Sequence, residues 1–249
     1  MLTQERYQSI LSMVNEKSAV TVAELAEYLG TSESTIRRDL TALDELGKLK
    51  KVFGGATAIV QQGGMNEDSV SMRENRMKEE KTEIAKYAAC TINNADFVFI
   101  DSGTTTARLI DFIENNKATY VTNGIVHARK LVQKGFNAYL IGGKVKAATE
   151  AVIGAEGIAN LKSFNFTKAF MGTNGIHIES GFTTPDIEEA RTKEMAVNRS
   201  YMAFVLADHT KFRRVYSVTF SQLKQCCIIT DVLPDSSYAK ETIIKEVMK

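Results

Sequence analysis

TSESTIRRDLTALDELGKLKKVFGG, residues 31–55, decides how the first part of this chain folds. Thr31 or Ser32 offers an N-cap oxygen, and Glu33 puts negative charge in the first turn of the helix that should follow. Ile36, Leu40 and Leu43 recur at helical spacing and define a buried stripe. At about 100° per residue, Ser34, Arg37, Arg38 and Thr41 point away from that stripe. Gly47 should end the helix and Leu49–Val52 continue as a strand. Gly54-Gly55 can turn that strand back into Ala56–Ile59, because glycine accepts the positive φ of a tight hairpin.

Two exposed arginines often form nothing more than a solvated face. The preceding segment changes that reading. Thr21 caps a stretch in which Val22, Leu25, Ala26 and Leu29 fall at i, i+3, i+4 and i+7, and Gly30 makes the next turn. Two short amphipathic helices joined by a glycine turn, the second basic on its outer face, form a helix-turn-helix pattern, and the hairpin adds a two-stranded wing. Guanidiniums flanked by short hydroxyls suit phosphates and guanine edges. Ser32, Ser34, Thr35, Arg37, Arg38 and Thr41, with Lys50 and Lys51 on the wing, are therefore the expected contacts to double-stranded DNA. A first helix over 3–16, with Thr3 as cap and Tyr7, Ile10, Leu11 and Val14 inward, completes a head of residues 1–58.

Composition bounds the rest. At 249 residues, two domains are expected, and 44% hydrophobic with 24% charged residues is ordinary for a globular chain. The formal net charge is +1, and residues 1–60 carry Arg6, Lys17, Arg37, Arg38, Lys48, Lys50 and Lys51 against eight carboxylates. Any DNA footprint must come from placement, not from bulk charge. Cys90, Cys226 and Cys227 make a poor disulfide framework, which favours a reducing cytoplasm. The histidines, His127, His177 and His209, are too far apart to suggest zinc ligands, so neither metal nor cofactor is expected. The polar start MLTQERYQSI does not read as a signal peptide, and no apolar run reaches the ~20 residues of a membrane span.

QQGGMNEDSVSM (61–72) is polar and aperiodic, so a linker is expected over 59–72 and a second domain over 73–249. That domain opens on one expected helix, with Met77, Lys81, Ile84, Ala85, Ala88 and Ile92 on a single face. Strands then alternate with helices: FVFI (97–100), ATYVT (118–122), AYLI (138–141), TKAFM (167–171), YMAFVL (201–206), a strand near Tyr216–Phe220 and CCIIT (226–230). A helix should start at Thr184-Pro185 and run to Asn198, and a last helix over 238–248. The pattern predicts an α/β domain with a mostly parallel sheet covered on both faces.

DSGTTT (101–106) follows a strand and opens a helix, where backbone N–H groups and the helix dipole can hold a phosphate. It is neither GxGxxG nor a P-loop. Four further polar or glycine-rich loops follow apolar strands: Thr122-Asn123-Gly124, Gly142-Gly143-Lys144, Gly172-Thr173-Asn174-Gly175 and Asp208-His209-Thr210-Lys211. Any one of them could be a plain connection. Together they suggest one cleft for a small, hydroxyl-rich, phosphorylated molecule.

TVAELAEYLGTSESTIRRDLTALDELGKLKKVFGGA resembles the head of the DeoR family of bacterial transcriptional regulators, in which an IRRDL segment and a wing ending in HGGA are distinctive. DSGTTT, VTN, IGG, GTNGI and ADHTKF match that family's effector domain, so the resemblance runs nearly end to end. It implies a repressor of a sugar operon that responds to a phosphorylated intermediate, with an effector domain resembling ribose-5-phosphate isomerase. GFTTPDIEEARTKEMA, which contains Lys193, is most like fructose-operon members and implies an effector such as fructose 1-phosphate. The effector contacts implied are Ser102, Gly103, Thr104, Thr105, Thr106, Thr122, Asn123, Gly143, Lys144, Gly172, Asn174, Gly175, Lys193, Asp208 and Lys211. Phe53 departs from the family, standing where it usually has histidine in the wing.

A sugar-phosphate isomerase fused to a DNA-binding head is the competing reading. Isomerisation needs a carboxylate base beside the reacting carbons. The isomerase family carries acids in a GADE-type loop, where this chain has GTNGI with Asn174, and an amide cannot take a proton from carbon. Glu188, Glu189 and Asp208 remain as conceivable bases. A sensor is therefore expected rather than an enzyme, and an activator shares every feature of a repressor. One helix-turn-helix head buries little surface, so a homodimer or homotetramer is expected on DNA.

Overall fold

The computed structural model describes residues 3–17, 19–58, 61–62, 70–114 and 117–248. They fall into two compact units, residues 1–61 and 62–249. That division lies inside the stretch expected as a linker. Positions 59, 60 and 63–69 are outside the described residues, and so is the hairpin end expected at Ile59.

The first unit orders as α1 (Thr3–Lys17), β1 (Ala19–Thr21), α2 (Val22–Leu29), α3 (Glu33–Glu45), β2 (Lys50–Val52) and β3 (Gly55–Thr57). Ile10, Val14, Leu25, Ile36, Leu40 and Leu43 meet in one core, and each such buried side chain contributes about 1.5–3 kcal/mol. Thr21 caps α2 in a full capping box with Glu24, and Gly30 ends that helix at φ 59°. Ser32, not Thr31, caps α3. The wing is not two-stranded: β1 joins it in the order β1-β3-β2. A Cβ on Gly55 would lie 2.0 Å from the Val20 carbonyl oxygen, so only glycine allows the antiparallel β1–β3 approach.

The second unit orders as α4 (Val70–Asn75), α5 (Lys78–Cys90), β4 (Phe97–Ile100), α6 (Thr104–Phe112), β5 (Thr119–Thr122), α7 (Ile125–Gln133), β6 (Asn137–Leu140), β7 (Lys144–Lys146), β8 (Ala151–Ile153), α8 (Ala155–Lys162), β9 (Phe166–Gly172), β10 (Gly175–His177), β11 (Gly181–Thr184), α9 (Ile187–Asn198), β12 (Ser200–Leu206), β13 (Val218–Ser221), β14 (Cys227–Thr230) and β15 (Ile244–Glu246). A seven-stranded sheet runs β15-β14-β12-β9-β4-β5-β6, parallel at every pairing. Both faces are covered, which is why FVFI is continuously apolar. Val98 and Ile100 pack with Ile84, Leu109 and Leu131 of α5, α6 and α7. Phe99 packs on the other side with Leu161 and Ala190 of α8 and α9.

Three expectations fail here. The opening helix is broken in two by Met77, which sits at φ 53° between α4 and α5. Thr184 ends a strand, and α9 starts three positions on from it, capped by Asp186 through the Glu189 N–H at 2.9 Å. The last helix is absent: Ser236–Lys240 forms a 3-10 turn and Ile244–Glu246 a strand beside β14. There the chain gains a parallel ladder at the sheet edge, which helical spacing alone could not reveal. The β7–β8 and β10–β11 hairpins were also not apparent from periodicity, each strand having only a few residues.

Candidate nucleic-acid interface and effector cleft

On α3 the buried stripe works as expected, and Ser32, Ser34, Arg37 and Arg38 lie exposed on the outer side, Thr35 and Thr41 half-buried. The Ser32 hydroxyl accepts from the Thr35 N–H and sits 2.9 Å from the Ser34 hydroxyl. Arg37 pairs with Glu33 one turn back at 2.9 Å, an exposed bond weak enough to yield to a phosphate. No carboxylate lies within ion-pair distance of Arg38 among the described residues. Thr41 does something else: its hydroxyl donates to the Arg37 carbonyl and accepts from Lys51 Nζ at 2.7 Å, tying wing to helix. Lys51 is further held by its N–H to Asp44 at 3.1 Å, while Lys50 is exposed.

One organising contact went unnoticed in the sequence. Asp39, buried on α3, accepts from Arg6 of α1 through both oxygens, at 2.5 and 3.0 Å. This fork fixes α1 against the helix that presents Arg37 and Arg38. Its only trace in the sequence was an acid directly after the arginine pair.

In the second unit the strand order reverses at β4. From β4 the chain proceeds outward through β5 and β6, then returns to place β9, β12, β14 and β15 on the other side. A parallel sheet opens a crevice at such a switch point, beyond the carboxyl ends of its strands. Ser102, Gly103, Thr104 and Thr105, after β4, line a cleft there with Gly172, Thr173 and Asn174 at the end of β9 and Asp208 and Lys211 after β12. Lys193 joins them from α9, as do Arg73 of α4 and Lys81 of α5.

Charge inside the cleft divides sharply. Asp101, 1% exposed, pairs with Lys193 and accepts the Gly172 N–H at 2.9 Å. Glu189 accepts from Lys146 and Thr149. Asp208 accepts from Thr210. Lys81, 4% exposed, instead donates to the Arg73 carbonyl and, at 3.3 Å, to the Thr104 hydroxyl. Among the described residues no carboxylate lies within ion-pair distance of Lys81 or Lys211. Burial pushes the Lys81 ammonium down to about 8, against the pull of Asp208, and lowers Lys211 for the same reason. Two desolvated lysines, neither ion-paired with a carboxylate among the described residues, put positive charge beside the N-terminus of α6.

The remaining expected residues sort by strand position. Thr106 is buried, its hydroxyl within hydrogen-bond distance of the Asp101 and Gly103 carbonyls and of His127, so it braces the loop. Burial pushes His127 down to about 4, leaving it neutral, with Nε2 3.0 Å from the Gly103 carbonyl. Thr122 accepts the Gly124 N–H, and Asn123 donates to the Ser102 hydroxyl at 3.3 Å from behind. Gly143 and Lys144 do not line the cleft: they follow the edge strand β6, and Lys144 is exposed and paired with Glu188. Gly175 is close-packed, a Cβ there meeting the Arg214 carbonyl at 2.4 Å. Arg73 and Thr149 were missed, and Lys81 was visible only as a lysine on an apolar stripe; Asp101 and Thr173 lay in loops expected to line the cleft, and Glu189 was named only as a conceivable base.

Cys90, Cys226 and Cys227 are free thiols, and no metal-binding group of His, Cys, Asp or Glu occurs among the described residues. No helix there is long and apolar enough to cross a membrane.

Comparison with known proteins fits this division. Residues 6–62 match the DeoR-like helix-turn-helix domain and residues 76–232 the DeoR C terminal sensor domain. The chain is 38% identical over 99% of both chains to a protein of Bacillus subtilis named as an uncharacterised HTH-type transcriptional regulator FruR. It is 33% identical, over 94% of each chain, to the HTH-type transcriptional regulator IolR of that organism. The lactose phosphotransferase system repressor of Staphylococcus aureus is 32% identical, covering 89% of this chain and 88% of that protein. Ribose 5-phosphate isomerase A of Methanocaldococcus jannaschii aligns in structure over 54% of both chains at 13% identity, with a TM-score of 0.41.

Proposed function

This chain belongs to the DeoR family of transcriptional regulators, and on that premise we propose that it represses a sugar-utilisation operon and leaves its operator when a phosphorylated sugar binds the cleft. The observation that carries the effector class is Lys81, buried, and Lys211, half-buried, neither ion-paired with a carboxylate among the described residues, in the cleft beside the α6 N-terminus. Phosphate supplies the missing charge, and Ser102, Thr104, Thr105 and the leading N–H groups of α6 supply donors. Asn174 and Asp208 offer acceptors for hydroxyls, with the Lys193–Asp101 pair closing the floor. Fructose is the favoured sugar, and fructose 1-phosphate the favoured effector, because a relative so similar over its whole length carries the name FruR. The reading includes a cytoplasmic location and a homodimer or homotetramer, with domains at 1–58 and 73–249.

On the DNA side, Arg37 and Arg38 read or clamp the duplex, with Ser32, Ser34, Thr35, Lys50 and Lys51 positioning the backbone. Thr41 holds the wing and contributes through Lys51. An anisotropy titration on DNA upstream of the chain's own gene, with and without a panel of sugar phosphates, tests the whole proposal. Operator binding that fructose 1-phosphate weakens and free fructose leaves unchanged is the expected result. If no phosphosugar alters binding, the effector assignment fails.

A further inference from the structure

The tip of the wing carries a side chain that the head does not use. Phe53, between β2 and β3, is 107% exposed, and Val52 beside it is 42% exposed. An isolated exposed apolar residue is ordinary. This one sits on a turn held at several points. The Gly54 carbonyl accepts the Val22 N–H at 2.9 Å, Gly54 takes φ 82°, and Gly55 packs against β1. Lys51 is bound to Asp44 and Thr41 of α3. The fold thus holds an aromatic ring in water on a braced hairpin and gives it nothing to pack against.

Its neighbours indicate the occupant. Lys48, Lys50 and Lys51 are exposed along the segment leading into the turn, and the Lys51–Thr41 bond puts this cationic edge beside the face bearing Arg37 and Arg38. A polyanion fits that surroundings; an apolar protein surface would have to desolvate the lysines. Resting on the assignment of α3 as the DNA-contacting helix, the geometry points to Phe53 as an apolar wedge that enters the minor groove flanking the site read by α3 and partly unstacks a base step. Lysines grip the phosphates on either side of the groove, and the ring replaces water at the sugars and base edges. Flexible pyrimidine–purine steps accept such a wedge most readily, so Phe53 adds sequence preference without a hydrogen bond to any base.

The test uses the full chain and a duplex carrying the operator footprinted upstream of its own gene, with 2-aminopurine placed at steps in the flanking minor groove. Phe53→Ala should weaken binding about tenfold, and Phe53→Leu should keep most of it. The dependence of log affinity on log salt should not change with either variant, since no phosphate contact is lost, whereas Lys50→Ala should lower that slope by about one. Wild-type protein should brighten 2-aminopurine at one flanking step, and Phe53→Ala should not. Unchanged affinity in Phe53→Ala, or a lowered salt slope, overturns the wedge. So does a change in oligomeric state without DNA, which would make a second copy the occupant. Loss of binding in Arg37→Ala and Arg38→Ala with full binding in Phe53→Ala would leave the regulator reading standing and remove this inference alone.

Discussion

Arg37 and Arg38 show how neighbouring residues separate into roles. Arg37 is held in an ion pair with Glu33, while Arg38 has no such partner among the described residues. Replacing either with Ala should weaken operator binding and leave effector binding intact. A base contact should cost about 1–3 kcal/mol and relax specificity, while a phosphate contact should weaken all sequences alike. Binding equal to wild type in both variants would remove α3 as the reader. At the other site, Lys81 makes a titration prediction. Its ammonium is held down to about 8 by burial, and a bound phosphate dianion must raise it again. Near pH 8 effector binding should therefore take up protons, and affinity should fall as pH climbs above that value. Sugar phosphates ionise near ~6 and add no proton of their own there. Calorimetry in two buffers of different ionisation enthalpy reads the uptake directly. Equal heats in both, or uptake that persists in Lys81→Met, would count against Lys81 as a phosphate contact.

Among the elements, α3 depends on a small core. Leu40 is fully buried among Ile10, Val14 and Leu25, and truncation of such a leucine costs about 2–5 kcal/mol. A head of this size has little stability in reserve. Leu40→Ala should abolish operator binding and lower the melting of the head, while effector binding persists in the second unit, whose own two cores it does not touch. A common loss of both functions would show that the units do not fold independently. The elements also show where periodicity suffices. The stripes of α1, α2 and α3 were legible because one face of each is buried. The opening helix of the second unit carried an equally good stripe, yet Met77 breaks it in the left-handed region, and nothing in helical spacing reports a backbone turn between two helices. The strand at Ile244–Glu246 was unreadable for the converse reason: its partner, β14, supplies the ladder.

Regulation belongs to the scale of the whole molecule. A ligand shifts DNA affinity only by binding two arrangements of the protein unequally. A tenfold loss of operator affinity corresponds to about 1.4 kcal/mol of coupling, an ordinary allosteric magnitude. Lys211 lines the cleft and lies far in sequence from α3, so Lys211→Ala should give a protein that still holds the operator and no longer releases it to fructose 1-phosphate. Release like that of wild type would remove Lys211 from the effector site. Helix-turn-helix heads reach high specificity by acting in pairs on half-sites about one helical turn apart. Light scattering should therefore find at least a dimer with operator, and a monomer under both conditions would contradict that.

The sequence by itself determined the helix-turn-helix, the hydroxyl and arginine face of α3, the parallel α/β class and the DSGTTT turn that opens a helix after a strand. Those properties are local: each follows from spacing along one helix, from a cap, or from a turn beside a strand end. Which loops share a cleft was decided only by strand order. With β4 between β9 and β5, the loops after β4, β9 and β12 converge, while Gly143 and Lys144 fall at the sheet edge. Tertiary packing also brought in Arg73 and Lys81 from helices that precede the sheet, and joined Arg6 to Asp39 across the head. Such pairings depend on where distant segments are brought to rest, and no window of neighbouring residues carries that information.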